Sequence, residues 1–95
     1  MEVNWSSKAR ADYYQILDEL IEHHSENIAI NFISDVEDTV YFIRTHPEMY
    51  PLSDFEGVRK AVINKQVSLF YSIQDDSAQL LRIWKNRSNP DSLSL

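Results

Sequence analysis

The chain has 95 residues, no cysteine and a formal net charge of −6. This length is enough for one domain with its own apolar core, and the lack of cysteine excludes disulfide bonds and thiolate metal sites. No apolar run approaches the roughly 18 residues of a membrane span, and the N-terminus has no signal-peptide pattern. We therefore expect a cytoplasmic protein with no membrane partner.

The charges are distributed unevenly along the chain. Residues 1–57 carry a net charge of −9, whereas residues 58–95 carry +3. This division predicts that the C-terminal part presents any surface that faces an anion. The alternative is that the predicted helices of the first part simply carry Asp and Glu on their solvated faces.

The first residues predict a short strand followed by an amphipathic helix. Val3–Trp5 is apolar and β-favouring, and we expect it to add an edge strand to a sheet. Ser6 or Ser7 offers an N-cap hydroxyl for a helix over residues 8–24. The apolar face of this helix is expected to consist of Ala9, Tyr13, Ile16, Leu17, Leu20 and His24.

A second amphipathic helix is predicted from about Glu26 to Thr45. Ser25 is its N-cap, and His46-Pro47 ends it because a residue before proline resists the α conformation. Its apolar face is expected to consist of Ala29, Phe32, Ile33, Val36, Val40 and Ile43. Since the connection between the two helices is so short, they are expected to form an antiparallel hairpin.

The second half of the chain predicts three strands joined by tight turns. Val58–Ile63, Val67–Ile73 and Gln79–Trp84 carry β-branched and aromatic residues at period two, and Asn, Asp and Ser separate them. Such a meander needs a cover on one face, which the helical hairpin can supply. The predicted fold is therefore α+β, of order β-α-α-β-β-β, with an N-terminal edge strand and an antiparallel helical hairpin packed on a small antiparallel sheet.

Period-two alternation assigns the side chains of the strands to two faces. The face toward the helices is expected to carry Leu69, Tyr71, Leu81 and Ile83. The opposite face is expected to carry Ser68, Phe70, Ser72, Leu80, Arg82 and Trp84. Phe70 and Trp84 beside arginines could form a platform that stacks bases or docks an apolar peptide. The alternative is a minor core beneath the loop at residues 47–56 or beneath the C-terminal tail.

Short segments along the whole chain carry a family resemblance in their order and spacing. These segments are Trp5-Ser6 with Ala9 and Asp12, Ala29 with Phe32, His46-Pro47 with Met49, Gly57-Val58-Arg59, Leu69-Phe70-Tyr71 and Trp84-Lys85-Asn86-Arg87. Together they resemble the RelE/ParE superfamily of toxins from bacterial type II toxin–antitoxin systems, often called plasmid stabilisation proteins. The toxin domain is expected over residues 1–88, followed by a polar, flexible tail over residues 89–95.

The resemblance implies one of two unlike activities. One branch of the family consists of ribosome-dependent ribonucleases, which cut messenger RNA with basic residues and a C-terminal tyrosine or similar group on the open face of the sheet. The other branch consists of gyrase poisons, which lack that set and act by binding. Arg59 and Arg87 match nuclease cations and are the candidate catalytic residues. Ala61 and Ser68 stand where nucleases often place a lysine and an arginine, and no tyrosine follows Arg87.

The incomplete nuclease set favours a toxin that binds a macromolecular target such as DNA gyrase. The alternatives are an endoribonuclease that cuts ribosome-bound messenger RNA and a non-toxic interaction module that has kept the fold. Phe70, Arg82, Trp84 and Lys85 are the candidate residues for binding the target or a partner. No metal or cofactor is predicted.

The resemblance also implies a cognate antitoxin as the partner. In this family the C-terminal segment of the antitoxin wraps the toxin, often with a helix in the groove of the hairpin or a strand on the sheet edge. A homodimer is left open. We therefore expect a binding surface on the helices in addition to any surface on the sheet.

Overall fold

The computed structural model describes residues 1–88 and 90–95, and two helices and four strands lie within them. The elements are β1 (Glu2–Trp5), α1 (Ser7–His23), α2 (Glu26–Thr45), β2 (Arg59–Val62), β3 (Val67–Gln74) and β4 (Ser77–Lys85), with a 3-10 turn at Pro90–Ser92. The predicted order and the packing of a helical hairpin on a sheet are confirmed. No helix in the described residues is long and apolar enough to cross a membrane.

The four strands form one sheet in the order β1-β4-β3-β2. Strands β2, β3 and β4 pair antiparallel, whereas β1 pairs parallel to β4, with Glu2 opposite Ser77 and Trp5 opposite Leu80. The sheet is therefore mixed, and the expectation that every pairing would be antiparallel needs correction. A tight turn forces two strands to be antiparallel, but β1 is connected to the other strands through both helices and escapes that constraint.

The first helix begins after its N-cap, Ser6, and ends before its C-cap, His24. Ser6 accepts a hydrogen bond from the Ala9 N–H at 3.0 Å, and its hydroxyl donates to the Leu81 carbonyl at 2.9 Å. This second bond ties the start of α1 to β4. The helix ends at His23, so His24 is its exposed C-cap. The prediction that His24 belongs to the apolar face is therefore wrong.

The main core lies between the helices and the inner face of the sheet. Leu69 and Tyr71 are fully buried there, in one cluster with Ile16 and Phe32. Phe70 belongs to a separate cluster on the opposite face. The predicted register of the central strand is therefore confirmed, and it follows from the alternation of side chains along a strand.

A β-bulge in β4 changes which of its side chains face the helices. The register between β3 and β4 shifts after Phe70, which leaves Leu81 as an extra residue on β4. Leu80 is consequently buried in the main core and Leu81 lies on the outer face, the reverse of the prediction. An extra residue defeats simple alternation because it moves one part of the strand to the opposite parity. Ile83 and Trp84 lie on the faces that were predicted for them.

A two-residue turn connects β3 to β4. Its residues, Asp75 and Asp76, have φ values of 51° and 62°, as the central residues of a type I′ turn require. Aspartate tolerates this left-handed conformation better than most residues other than glycine. The turn sets the pairing of Gln74 with Ser77, from which the register of the hairpin follows.

Candidate functional site

The outer face of the sheet carries a second apolar cluster, which we call the outer cluster. Its members are Val58, Phe70 and Leu93, which are buried, and Phe55, Leu81, Trp84 and Leu95, which pack against them. Phe55 meets Phe70 edge to face, with the ring centroids 6.1 Å apart. Phe55 comes from the loop before β2 and Leu93 comes from the C-terminal segment. The alternative of a minor core beneath the loop or the tail is therefore confirmed for Phe70, whereas Trp84 is only partly buried.

Hydrogen bonds hold the C-terminal segment against the same face. The guanidinium of Arg82 donates to the Ser94 carbonyl at 2.5 Å, and the Lys8 ammonium donates to the Leu95 carbonyl at 3.2 Å. The flexibility expected for residues 89–95 stays a prediction, and the first of these residues lies outside the described part of the chain.

Two cations lie beside aromatic rings of the outer cluster. Lys60 Nζ is 6.0 Å from the centroid of the Phe70 ring, and the guanidinium carbon of Arg82 is 5.4 Å from that of Trp84. A cavity of about 400 Å³ next to them is lined in part by Lys60, Phe70 and Trp84. A cation beside an accessible aromatic ring can bind a flat anionic group, because the cation pairs with the charge and the ring stacks on the flat face. Lys60 was not among the predicted site residues, although its pairing with Phe70 places it on this face.

Asp12 of α1 holds Arg82 through two parallel hydrogen bonds. Arg82 Nε and Nη2 donate to the Asp12 carboxylate at 2.7 and 3.0 Å, and the Ile83 N–H donates to the same carboxylate at 3.0 Å. The side chains of Arg82 and Asp12 are only 15% and 14% exposed. The hydrogen bond to Asp12 raises the pKa of Arg82 above its ordinary value, although burial opposes this. Arg82 is therefore a fixed cation at the border between α1 and the outer face.

Arg59 is bound to the loop that precedes β2. Its guanidinium donates to the carbonyls of Tyr50 at 2.6 Å and Glu48 at 3.2 Å. The hydroxyl of Tyr71 donates to the Pro47 carbonyl of the same loop at 2.5 Å. Because Arg59 lies directly opposite Tyr71 in the ladder, the two side chains share the inner face. Arg59 thus anchors a loop and does not belong to the outer face.

Replacing Tyr71 by phenylalanine is expected to change how stability depends on alkaline pH. Burial raises the pKa of Tyr71 to about 12, although Arg59 lowers it in part. The pKa of Tyr71 in the folded protein lies above the unfolded value of about 10. The contribution of the neutral Tyr71 side chain to stability is therefore fully present below pH values of about 10 and is lost as the pH rises toward the folded pKa. Over this interval the wild-type protein is expected to lose about 2 to 3 kcal/mol more than the variant.

Urea unfolding across the alkaline range measures this difference. Burial also raises the pKa of Tyr13 and Tyr50, but both proteins share these groups. Near neutral pH the variant is expected to be less stable by about 1 kcal/mol, because it lacks the hydroxyl that bonds Pro47. Tyr14→Phe, at an exposed tyrosine, is the matched control. Parallel pH curves for wild type and Tyr71→Phe would contradict this prediction.

Arg59 and Arg87 lie at different levels of the sheet. Arg59 pairs with Tyr71, whereas Lys85 pairs with Val67, which precedes Tyr71 on β3. At about 3.4 Å per residue these two levels of the sheet are about 14 Å apart. Arg87 is exposed in the turn after β4. The structure therefore does not bring the two candidate catalytic arginines together.

The two positions that depart from the nuclease pattern are both fully buried. Ala61 belongs to the main core, and the hydroxyl of Ser68 donates to Asn86 Oδ1 at 2.8 Å. A lysine or arginine at either position would have to displace packed neighbours. Among residues 1–88 and 90–95, no group of three or more His, Asp or Glu side chains gathers in a way that could hold a metal ion.

The helical hairpin carries an aromatic groove to which the sequence analysis assigned no residues. We call it the hairpin groove; it has a volume of about 580 Å³ and is lined by Trp5, Arg10, Tyr13, Tyr14, Val36, Glu37, Val40, Tyr41 and Arg44. Tyr14 and Tyr41 are 55% and 57% exposed. Exposed aromatic rings beside arginines are typical of protein-binding surfaces. The helical spacing of Arg10 with Tyr14, and of Tyr41 with Arg44, is the signal that would have found it.

A family profile and several solved structures match the chain. The profile described as ParE toxin of type II toxin-antitoxin system, parDE, matches residues 3–90. A chain of the chromosomal ParDE toxin–antitoxin system from P. aeruginosa matches with a TM-score of 0.77 and 23% identity, over 90% of this chain and 95% of that chain. For a copper-bound mutant toxin from Helicobacter pylori the TM-score is 0.63 and the identity 18%, over 90% and 94%. For the YoeB–YefM complex from Staphylococcus aureus the values are 0.62 and 14%, over 93% and 98%.

These structural likenesses, at identities below 25%, show a common fold. A search of curated proteins found no match. The family profile spans nearly the whole chain and includes each segment on which the resemblance was based. The chain belongs to the ParE toxin family of type II toxin–antitoxin systems.

Proposed function

We propose that this toxin inhibits bacterial growth by binding DNA gyrase, without cutting messenger RNA, and that a cognate antitoxin neutralises it. Membership of the ParE family supports a toxin, and the P. aeruginosa relative is a ParDE toxin–antitoxin system. The proposal rests above all on the separation of the candidate nuclease cations. Arg59 is bonded to loop carbonyls on the inner face, and its level in the sheet is about 14 Å from that of Lys85, which precedes Arg87 in the chain.

The remaining groups do not replace the missing nuclease set. RNA cleavage through the 2′-hydroxyl needs a base, an acid and cations at the developing phosphorane charge. Arg82 is bonded to Asp12 and Arg59 to loop carbonyls, and arginine does not serve as a base at ordinary pH. Losing one well-placed donor typically reduces the rate by on the order of 10²–10³. With Ala61 and Ser68 both lacking a cation, binding is the better supported activity.

We assign the target contact to the outer face of the sheet. Trp84 is half-buried beside Arg82, and Lys60 lies beside Phe70, next to the cavity of about 400 Å³. Aromatic anchors with neighbouring arginines are the groups that dominate binding energy in protein interfaces. This combination supports a protein target, which gyrase is.

We assign the antitoxin to the hairpin groove. Its aromatic lining suits the apolar face of a helix, and Arg10 and Arg44 suit carboxylates on the same segment. The groove lies on the helices and the outer cluster lies on the far side of the sheet. The toxin can therefore bind its antitoxin and its target on separate surfaces. The antitoxin would then neutralise it by steric hindrance or through a change in the toxin's structure, without occupying the target site.

Expression in bacteria and an assay with purified gyrase test this proposal. Induction without a partner is expected to stop growth, and co-expression of the neighbouring gene is expected to restore it. The purified protein, added to gyrase and supercoiled plasmid, is expected to make cleaved DNA accumulate, and Trp84→Ala is expected to weaken this effect. Unchanged growth at high soluble expression would contradict toxicity and favour the non-toxic interaction module. Toxicity without any effect on gyrase would contradict the target.

A ribosome-dependent messenger RNA endoribonuclease is the second candidate. Lys60 and Arg82 favour it together with the partly exposed ring of Trp84, because single-stranded RNA binds to such combinations of charge and stacking. The test adds purified protein to ribosomes that carry messenger RNA. Cleavage that needs the ribosome and is lost in Lys60→Ala would support the nuclease, whereas intact RNA at high protein concentration would reject it.

A further inference from the structure

A cleft separate from the hairpin groove and from the outer cluster opens at the end of the sheet near the turn between the helices. It has a volume of about 260 Å³, and its apolar lining includes Leu20 and Ile28 from the helices together with buried Phe32 and Val67. Ile28 is 45% exposed. The cleft is therefore large enough and apolar enough to take one bulky apolar side chain.

The rim of this cleft is basic in a chain whose net charge is −6. Lys85 and Arg87 line it. Lys65 lies in the adjoining turn, and its backbone carbonyl accepts a hydrogen bond from the Asn86 side chain at 3.1 Å. Glu19 is the carboxylate that lines the cleft, and it is ion-paired with Lys85. The local charge is thus opposite to that of the whole chain, so an anionic partner is attracted to this end of the sheet.

We propose that this cleft binds a segment of the antitoxin in which one bulky apolar side chain is flanked by acidic residues. The apolar side chain enters the cleft between Leu20 and Ile28, and the carboxylates face Lys65 and Arg87. The lining favours a peptide over a nucleic acid because it is mainly aliphatic, with Leu20, Ile28 and Val67. Stacking of a base needs an accessible aromatic face, and Phe32 is only 3% exposed, which leaves His24 at the helix end as the exposed ring.

The assignment to the antitoxin rests on the proposed function. Both helices contribute to the hairpin groove and to this cleft. Tyr41 in the groove and Ile28 in the cleft are about 20 Å apart along α2, at about 1.5 Å per residue, and point to different sides of that helix. The groove and the cleft are therefore two separate contacts for the antitoxin, and a segment that joins them is longer than the roughly six extended residues that span the axial distance.

A random peptide library displayed on phage, selected on the intact protein, tests the cleft without any knowledge of the antitoxin. Selected peptides are expected to combine acidic residues with one Leu, Phe or Trp. A selected peptide, labelled with fluorescein and measured by anisotropy, is expected to bind about 30-fold more weakly to Ile28→Asp and about 10-fold more weakly to Arg87→Glu. Ile28→Asp is expected to fold, because a carboxylate in the first turn of a helix is favourable.

One matched variant and one competing probe complete the experiment. Ile30→Asp changes an exposed isoleucine of the same helix that does not line the cleft, and it is expected to bind the peptide as the wild type does. Selected peptides without acidic residues, or equal binding to Ile28→Asp, would overturn the proposal. Binding of a labelled single-stranded RNA that Arg87→Glu abolishes, with no peptide selected, would assign the cleft to nucleic acid instead.

Neutralisation in cells distinguishes a failure of the cleft from a failure of the proposed function. With the neighbouring gene co-expressed, Ile28→Asp is expected to remain toxic and to be neutralised less well than Ile30→Asp. Equal neutralisation of both, in cells where the wild type is toxic and rescued, would overturn the cleft and leave the toxin standing. A protein that is not toxic at all would overturn the proposed function, while the peptide measurements would still decide whether the cleft binds acidic, apolar segments.

Discussion

Replacing both Tyr41 and Arg44 by alanine is expected to weaken antitoxin binding by about 100-fold and to leave the free toxin active. Tyrosine and arginine are the residues whose truncation most often removes binding energy from a protein interface. Both line the hairpin groove, and the ring of Tyr41 is 57% exposed. Since neither side chain belongs to the main core, the variant is expected to fold.

Binding of the purified antitoxin, measured by calorimetry, and rescue of growth in cells are the two readouts. The matched control is Ile30→Ala with Asn31→Ala, on the same helix. Both side chains are exposed, and neither lines the groove. Equal affinity of both double variants for the antitoxin would show that the groove is not its site.

Replacing Asp12 by alanine is expected to lower the free energy of unfolding by about 3 kcal/mol. The carboxylate receives two hydrogen bonds from Arg82 and one from the Ile83 N–H. Removing it leaves a cation that is only 15% exposed without its partner, and this uncompensated charge accounts for most of the loss. The same change frees the guanidinium that bonds the Ser94 carbonyl.

Urea unfolding of single and double variants checks the origin of that loss. Asp18→Ala, at an exposed aspartate of the same helix, is the control and is expected to cost no more than about 0.5 kcal/mol. The double variant Asp12→Ala with Arg82→Ala is expected to lose less than the sum of the single variants, because each single variant already breaks the pair. A loss below about 1 kcal/mol for Asp12→Ala, or strict additivity, would contradict the account of this ion pair.

Alternation along β3 predicted the face of each side chain, since Leu69 and Tyr71 pack inward and Phe70 outward. The same rule failed at Leu80 and Leu81 because the bulge depends on pairing with β3, and no local pattern marks it. The parallel pairing of β1 with β4 is likewise a contact between the two ends of the chain. Local periodicity carries no information on such a contact.

The candidate site was harder to predict than the fold because cations look alike in a sequence. Arg59 anchors a loop on the inner face and Arg82 is held by Asp12, although both stood among the candidate residues. Lys60, which was not a candidate, lies beside Phe70 on the outer face. What distinguishes these residues is their partner across the sheet or on a helix, and that partner is distant in sequence.

Mapping messenger RNA ends in cells shortly after induction tests most directly whether this toxin acts by binding. The comparison is between the wild type and the double variant Arg59→Ala with Arg87→Ala. We expect no new ends at codon positions with either protein, together with a DNA-damage response that the wild type induces. Codon-position cuts that appear with the wild type and vanish in the double variant would contradict the account and establish a ribonuclease.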